Sequence, residues 1–180
     1  ICMFFIYSIA IHLYTLAIYL ASPFNKQAKR WVNGRKNIFH SIQQSIRPDE
    51  KRIWIHAASL GEFEQGRPII EQFKKTNPEY KIVLTFFSPS GYEVRKNYEQ
   101  ADYIFYLPAD TRGNARKFIQ LIDPQCVFFV KYEFWFNYLY VLQKRKISTY
   151  IISAIFRPQQ HFFKWYGVWF KKRLDVFHHF

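Results

Sequence analysis

The chain opens on an unbroken apolar run. Ile1 to Ala21 contains no Asp, Glu, Lys or Arg, and only Ser8, His12 and Thr15 interrupt it with polar groups. Roughly 20 such residues in a helix suffice to cross a bilayer core. The next stretch brings Lys26, Lys29, Arg30, Arg35 and Lys36 with no acid among them, and basic residues beside a span stay on the cytoplasmic side. A cleaved signal peptide has the opposite order, charge before the run and small residues after it. The pattern predicts an uncleaved anchor helix over 1–21 with its N-terminus outside. His12 is a passive member of that helix. A basic juxtamembrane segment over 22–51 follows, and a cytoplasmic domain over 52–180.

From Arg52 the pattern changes to short β-rich runs alternating with helical stretches. Strands are predicted at Ile53 to Ala57, Lys81 to Phe87, Tyr103 to Leu107, Cys126 to Val130 and Ser148 to Ser153. Between them a helix is read from Glu62 to Lys75, with Phe63, Ile69, Ile70 and Phe73 as its apolar positions, and a second begins at Ser88-Pro89-Ser90, with proline suited to a first helical turn. Helices at Thr111 to Leu121, capped by Asp110, and at Phe134 to Lys146 complete the alternation, and Leu174 to Phe180 opens a further element. The Cys126–Val130 run is almost wholly apolar, as in parallel strands buried on both faces. Such alternation implies βαβ units and a doubly wound, Rossmann-like parallel sheet of the α/β class. In that architecture ligands sit outside the carboxyl ends of the strands, so the loops after strands are where chemistry is sought.

Composition sharpens this picture. Twenty Phe, thirteen Tyr and five Trp among 180 residues exceed what a soluble domain needs, and aromatics gather at membrane interfaces. The formal net charge of +13 draws the chain toward polyanions such as anionic lipid or phosphorylated substrates. The basic residues are spread along the chain without an RNA- or DNA-binding motif, so no nucleic-acid partner is expected. Cys2 and Cys126 have neither metal spacing nor a shared neighbourhood, and both are read as reduced thiols. The segment His161 to Arg173 mixes aromatics with a basic end and suits an interfacial helix on anionic lipid.

The loop after the first strand reads His56-Ala57-Ala58-Ser59-Leu60-Gly61-Glu62. Its small residues let a ligand approach the backbone, and Gly61 permits unusual backbone angles. Glu62 stands at a helix N-terminus beside a strand's carboxyl end, where it can serve as a general base toward a substrate hydroxyl or simply satisfy the helix dipole. His56 reads as a packed strand-end residue. Neither GxGxxG nor GxxxxGK[ST] is present.

Trp54 to Glu62 resembles the W-x-H-A-x-S-x-G-E signature of the transferases of Kdo (3-deoxy-D-manno-octulosonic acid). Further matches follow in that family's order: Leu84 to Gly91, Tyr106-Leu107-Pro108-Ala109-Asp110, Glu133-Phe134-Trp135 with Asn137, and more loosely Ser153 to Arg157. The resemblance covers most of the chain from about Arg52 onward and implies the N-terminal half of a GT-B glycosyltransferase. Such an enzyme transfers Kdo from CMP-Kdo, with inversion, to a lipid A precursor on the cytoplasmic face of a bacterial inner membrane. Its partners are then the lipid A precursor, CMP-Kdo and membrane lipids, without metal or cofactor. By the same resemblance Glu62 is the general base, and Ser59, Gly61, Ser88, Gly91, Lys131 and Glu133 line the substrate site. Lys131 departs from the family, which usually has Glu there, so no transition-state role is carried over. The donor-binding domain is absent from this stretch, which alone is expected not to turn over. Two rival readings are a membrane-associated GT-B enzyme using a UDP-sugar and a non-enzymatic, basic membrane-tethered module.

Overall fold

The computed structural model describes residues 2–131 and 134–153. Three helices come first: α1 (Cys2–Ala21), α2 (Lys26–Asn33) and α3 (Ile38–Ser45). An alternating series follows: β1 (Lys51–Ala57), α4 (Leu60–Thr76), β2 (Tyr80–Phe86), α5 (Pro89–Arg95), β3 (Tyr103–Tyr106), α6 (Arg112–Ile122), β4 (Cys126–Val130), α7 (Phe136–Lys144) and β5 (Ser148–Ile152). The five strands form one sheet in the order β3-β2-β1-β4-β5, and every pairing is parallel. This is the Rossmann-like α/β fold expected from the alternation. Glu133, the segment His161 to Arg173 and the element expected at Leu174 to Phe180 lie outside the described residues.

The period of two in β1 explains the layering. Ile53, Ile55 and Ala57 enter one core with Phe63 and Ile70 of α4, whereas Trp54 enters the other with Phe118 of α6 and Tyr138 of α7. Both faces of the central strands are therefore covered, which is why β2 and β4 read as nearly continuous apolar runs. On α4, Gly66 packs inward against Val130, whereas Ile69 is exposed.

Three features depart from the expected pattern. Helix α6 is capped by Thr111, whose hydroxyl accepts from the Asn114 N–H. Asp110 is used elsewhere, as described below. The basic segment 22–51 folds into α2 and α3, and Trp31, Ile38 and Ile42 are buried, the two isoleucines in the Trp54 core. Helix α1 holds one stretch, Phe4–Ala21, long and apolar enough to cross a membrane, yet one stripe of it lies on the domain. The Phe4, Tyr7 and Tyr14 rings contact Tyr140, Phe136 and Phe87, while Phe5, Ile9, Leu13, Leu16 and Leu20 on the opposite side are exposed.

Candidate active site

In a sheet of order 3-2-1-4-5 the chain reverses its winding direction between β1 and β4, and the loops leaving those two strands diverge to form a crevice. Glu62 stands on the β1 side of it. Ser59 is the N-cap of α4, and the two residues form a capping box: the Glu62 N–H donates to Ser59 Oγ at 3.5 Å, and the Ser59 N–H donates to Glu62 Oε2 at 3.0 Å. The box satisfies helix-end amides and fixes the direction of the carboxylate. Oε2 is engaged; Oε1 accepts no hydrogen bond from the described residues. Gly61 lies inside α4 with an ordinary negative φ, so the unusual backbone angle expected of it is not used. A Cβ built there meets nothing within 4 Å. Its lack of a side chain answers no packing need and leaves open space beside Glu62.

Ser88 adjoins this loop. Its N–H donates to Ala58 O at 2.7 Å, and its hydroxyl accepts from the Ser90 N–H at the start of α5. Ser59, Gly61, Glu62 and Ser88 are thus brought together. Gly91 is not one of them: it is buried on α5, and an added Cβ would lie 2.3 Å from Phe86 Cδ1. Its absent side chain makes room for a core ring rather than for a substrate. Lys131 occupies the other lip, at the end of β4, in a left-handed conformation (φ 62°) with its N–H donating to Ile152 O at 2.8 Å.

A buried polar relay underlies the crevice. The Trp135 indole N–H donates to His56 Nε2 at 3.0 Å. An indole can only donate, so the His56 proton sits on Nδ1, which donates to Thr85 Oγ1 at 2.9 Å; the Trp54 indole N–H reaches the same oxygen at 2.7 Å. Burial lowers the His56 pKa to about 3, so the ring stays neutral at physiological pH and is a fixed strut rather than an acid-base group. It anchors Trp135, whose ring packs on Phe87 at 4.5 Å between centroids. Sequence reading placed His56 correctly as packed but could not see Trp135, which is 79 residues away.

Arg35 and Asp110 take roles other than those expected of a juxtamembrane cation and an α6 cap. Arg35 lies over the C-terminal edges of β2 and β3, donating to Phe87 O and Leu107 O and to Trp31 O, with its guanidinium 3.8 Å from the Trp31 ring centroid. Burial lowers its pKa to about 9, which still leaves a cation at neutral pH. Asp110 is 1 % exposed and caps α7: Oδ2 accepts from the Asn137 N–H at 3.1 Å and Oδ1 from the Tyr138 N–H at 3.1 Å. The Tyr7 hydroxyl of α1 donates to Oδ2 at 2.5 Å. Burial raises the Asp110 pKa to about 6, against the pull of those donors. Among the described residues no three His, Cys, Asp or Glu side chains converge on a metal position.

The family model for 3-deoxy-D-manno-octulosonic-acid transferase (Kdo transferase) matches residues 30–180. The chain belongs to the Kdo transferase family. Its relatives include the 3-deoxy-D-manno-octulosonic acid transferase of Haemophilus influenzae, 32 % identical over 108 residues, which cover 59 % of this chain and 25 % of that protein. The corresponding enzyme of Aquifex aeolicus is 33 % identical over 94 residues, 52 % of this chain and 26 % of that protein. A bifunctional glycosyltransferase/methyltransferase of Fusobacterium nucleatum is 25 % identical over 77 % of this chain and 22 % of its own length. The chain therefore spans about a quarter of these relatives. Among solved structures a UDP-N-acetylglucosamine 2-epimerase superposes with a TM-score of 0.51 at 13 % identity, over 73 % of this chain and 42 % of the epimerase, a likeness of fold alone. Kdo transferases are glycosyltransferases.

Proposed function

We propose that the parent protein transfers Kdo from CMP-Kdo to a lipid A precursor with inversion, and that residues 52–180 form its acceptor-side domain. Glu62 is the general base. The observation that carries this is the split use of its carboxylate: one oxygen held by Ser59, the other unengaged beside the open space over Gly61. A sugar hydroxyl is a weak nucleophile, and a fixed carboxylate that removes its proton as the bond forms supplies roughly 100- to 10,000-fold. Ser59 and Ser88 supply hydroxyls at the rim, and Lys131 on the opposite lip offers a cation to the anionic donor or to acceptor phosphates. The donor site belongs to a second domain facing this one across a cleft, which would bring the reactants into register. The exposed face of α1, with Lys26, Lys29 and Arg30 directly after it, holds the domain on the cytoplasmic face of an inner membrane.

The test is the full-length parent with CMP-Kdo and a lipid A precursor, beside Glu62→Gln. Gln retains the acceptor that the capping box needs and lacks the base, so the fold should persist while transfer falls roughly 100-fold or more. Transfer unaffected by the change removes Glu62 from the mechanism. No transfer by the folded parent refutes the assignment of substrates.

A further inference from the structure

A second concavity lies apart from Glu62, beyond the β3 side of the sheet. Helices α1, α2, α3 and α6 and the turn at Pro108-Ala109 enclose about 450 Å³. Its walls carry three basic side chains, Arg35, His40 and Lys117, and no acid. Arg35 has no carboxylate partner among the described residues; its neighbours are main-chain carbonyls and aromatic rings. Lys117 makes no ion pair among the described residues and rests 4.9 Å from the Phe39 ring centroid. The nearest carboxylate in sequence, Asp110, is spent on the α7 amides and Tyr7.

Two independent features show donors waiting in the same place. Trp31 lines the cavity at 5 % exposure, and its buried indole Nε1–H has no hydrogen-bond partner. Buried donors are normally paired, and an orphan of this kind calls for a ligand, ion or water. Asn37, also in the wall, is the N-cap of α3 at φ 54° and makes no side-chain cap bond; the Ile38 and His40 amides donate to Arg35 O and Asn37 O, which leaves the Phe39 N–H of the first turn without an acceptor among the described residues. A group that takes an indole N–H, a lysine ammonium and a helix-start amide at once is a compact oxyanion with several acceptor oxygens.

We infer that this cavity binds a phosphate ester, with Lys117, the Trp31 indole N–H and the Phe39 N–H at the start of α3 as its donors and Arg35 as a fixed positive charge behind them. Thr15 and Tyr19 of α1 form part of the wall, and the other side of α1 is an exposed apolar face. The ester is therefore placed where the headgroup of a bilayer lipid sits when its acyl chains lie along α1. The inference does not depend on the role of Glu62.

The experiment uses the full-length parent labelled with ¹⁵N at tryptophan, and reads the indole N–H of Trp31, assigned through Trp31→Phe. Three probes are compared: vesicles of phosphatidylglycerol in phosphatidylcholine, a neutral detergent carrying no phosphate, and soluble glycerol phosphate. Binding to the vesicles with a Trp31 shift, weakened about tenfold by Lys117→Glu and several-fold by Trp31→Phe, supports the site with lipid as the source. A shift with glycerol phosphate that matches the vesicle affinity supports the site with a soluble ester as the source. Lys75→Glu, a charge change of equal size in the last turn of α4, is the control for long-range attraction. If Lys75→Glu weakens binding as much as Lys117→Glu, or if the Trp31 signal moves with neither phosphate probe, the inference is overturned.

Discussion

Gly61→Ala separates the fold from the chemistry more cleanly than any other change in the crevice. The glycine lies in the first turn of α4 with negative φ, and the added Cβ meets no atom within 4 Å. Nothing in the protein resists the methyl group. Alanine also loses less backbone freedom on folding, a gain of about 0.5–1 kcal/mol in a helix interior and less near its start. The variant should therefore melt at or slightly above the parent's temperature. The substrate meets a different situation. On the proposed reading the acceptor hydroxyl approaches Glu62 across the open space at Gly61, and a displacement of about 1 Å from the reactive pose costs on the order of 100-fold. The assay pairs a thermal melt of the full-length parent and variant with transfer from CMP-Kdo. The expected result is an unchanged or raised melting temperature with transfer reduced roughly 100-fold. A lowered melting temperature would mean that the space is not free; transfer within about threefold of the parent would mean that no substrate uses it.

Other glycines should behave in the opposite way. An added Cβ at Gly91 falls 2.3 Å from the Phe86 ring and at Gly34 2.1 Å from the Tyr106 ring, so alanine at either should destabilise by about 1–3 kcal/mol in urea unfolding. Transfer per folded molecule should change much less than for Gly61→Ala. Asp110 predicts a pH dependence. Its folded pKa of about 6 lies above its ordinary 3.8, so the native state holds a proton that the unfolded chain has lost. Its contribution is fully present below about pH 4 and lost as pH rises through 6, on the order of 3 kcal/mol in all. Unfolding free energies at pH 4.5 and 7 should therefore differ less in Asp110→Asn than in the parent; an identical difference in both would refute the buried-carboxylate reading.

The regular part of the fold was legible because the βαβ alternation is written in local pattern. Four of the five strands lie within one residue of their expected limits and β1 starts two residues before its expected start at Ile53, since a buried parallel strand must be apolar on both faces. Where the sequence offered two equivalent choices it misled. Asp110 and Thr111 are adjacent and either can cap α6; the structure uses Thr111 because α7, folding back from 26 residues later, needs the carboxylate. The segment 22–51 was read by its charge, which hid Trp31, Ile38 and Ile42 among lysines and arginines, although the last two recur at helical spacing. The relay from Trp135 through His56 to Thr85 joins the N-cap of α7 to the ends of two strands and has no local signature at all.

The two acids at helix starts show why a displaced pKa is a poor guide to the base in this fold. Asp110 has the larger perturbation, a carboxyl raised to about 6 by burial, and such groups are often catalytic. Its oxygens, however, already accept three hydrogen bonds, two from α7 amides and one from Tyr7, and the residue is 1 % exposed. It has no room for a substrate and its displacement records structural burial. Glu62 performs the same capping task at α4 with one oxygen only. It is only part-buried, borders empty space over Gly61, and stands where the sheet changes direction. A base must first be reachable by the proton it removes. On that criterion the capping box makes Glu62 both the anchor of its helix and, among the described residues, the carboxylate of this crevice with an oxygen still to offer.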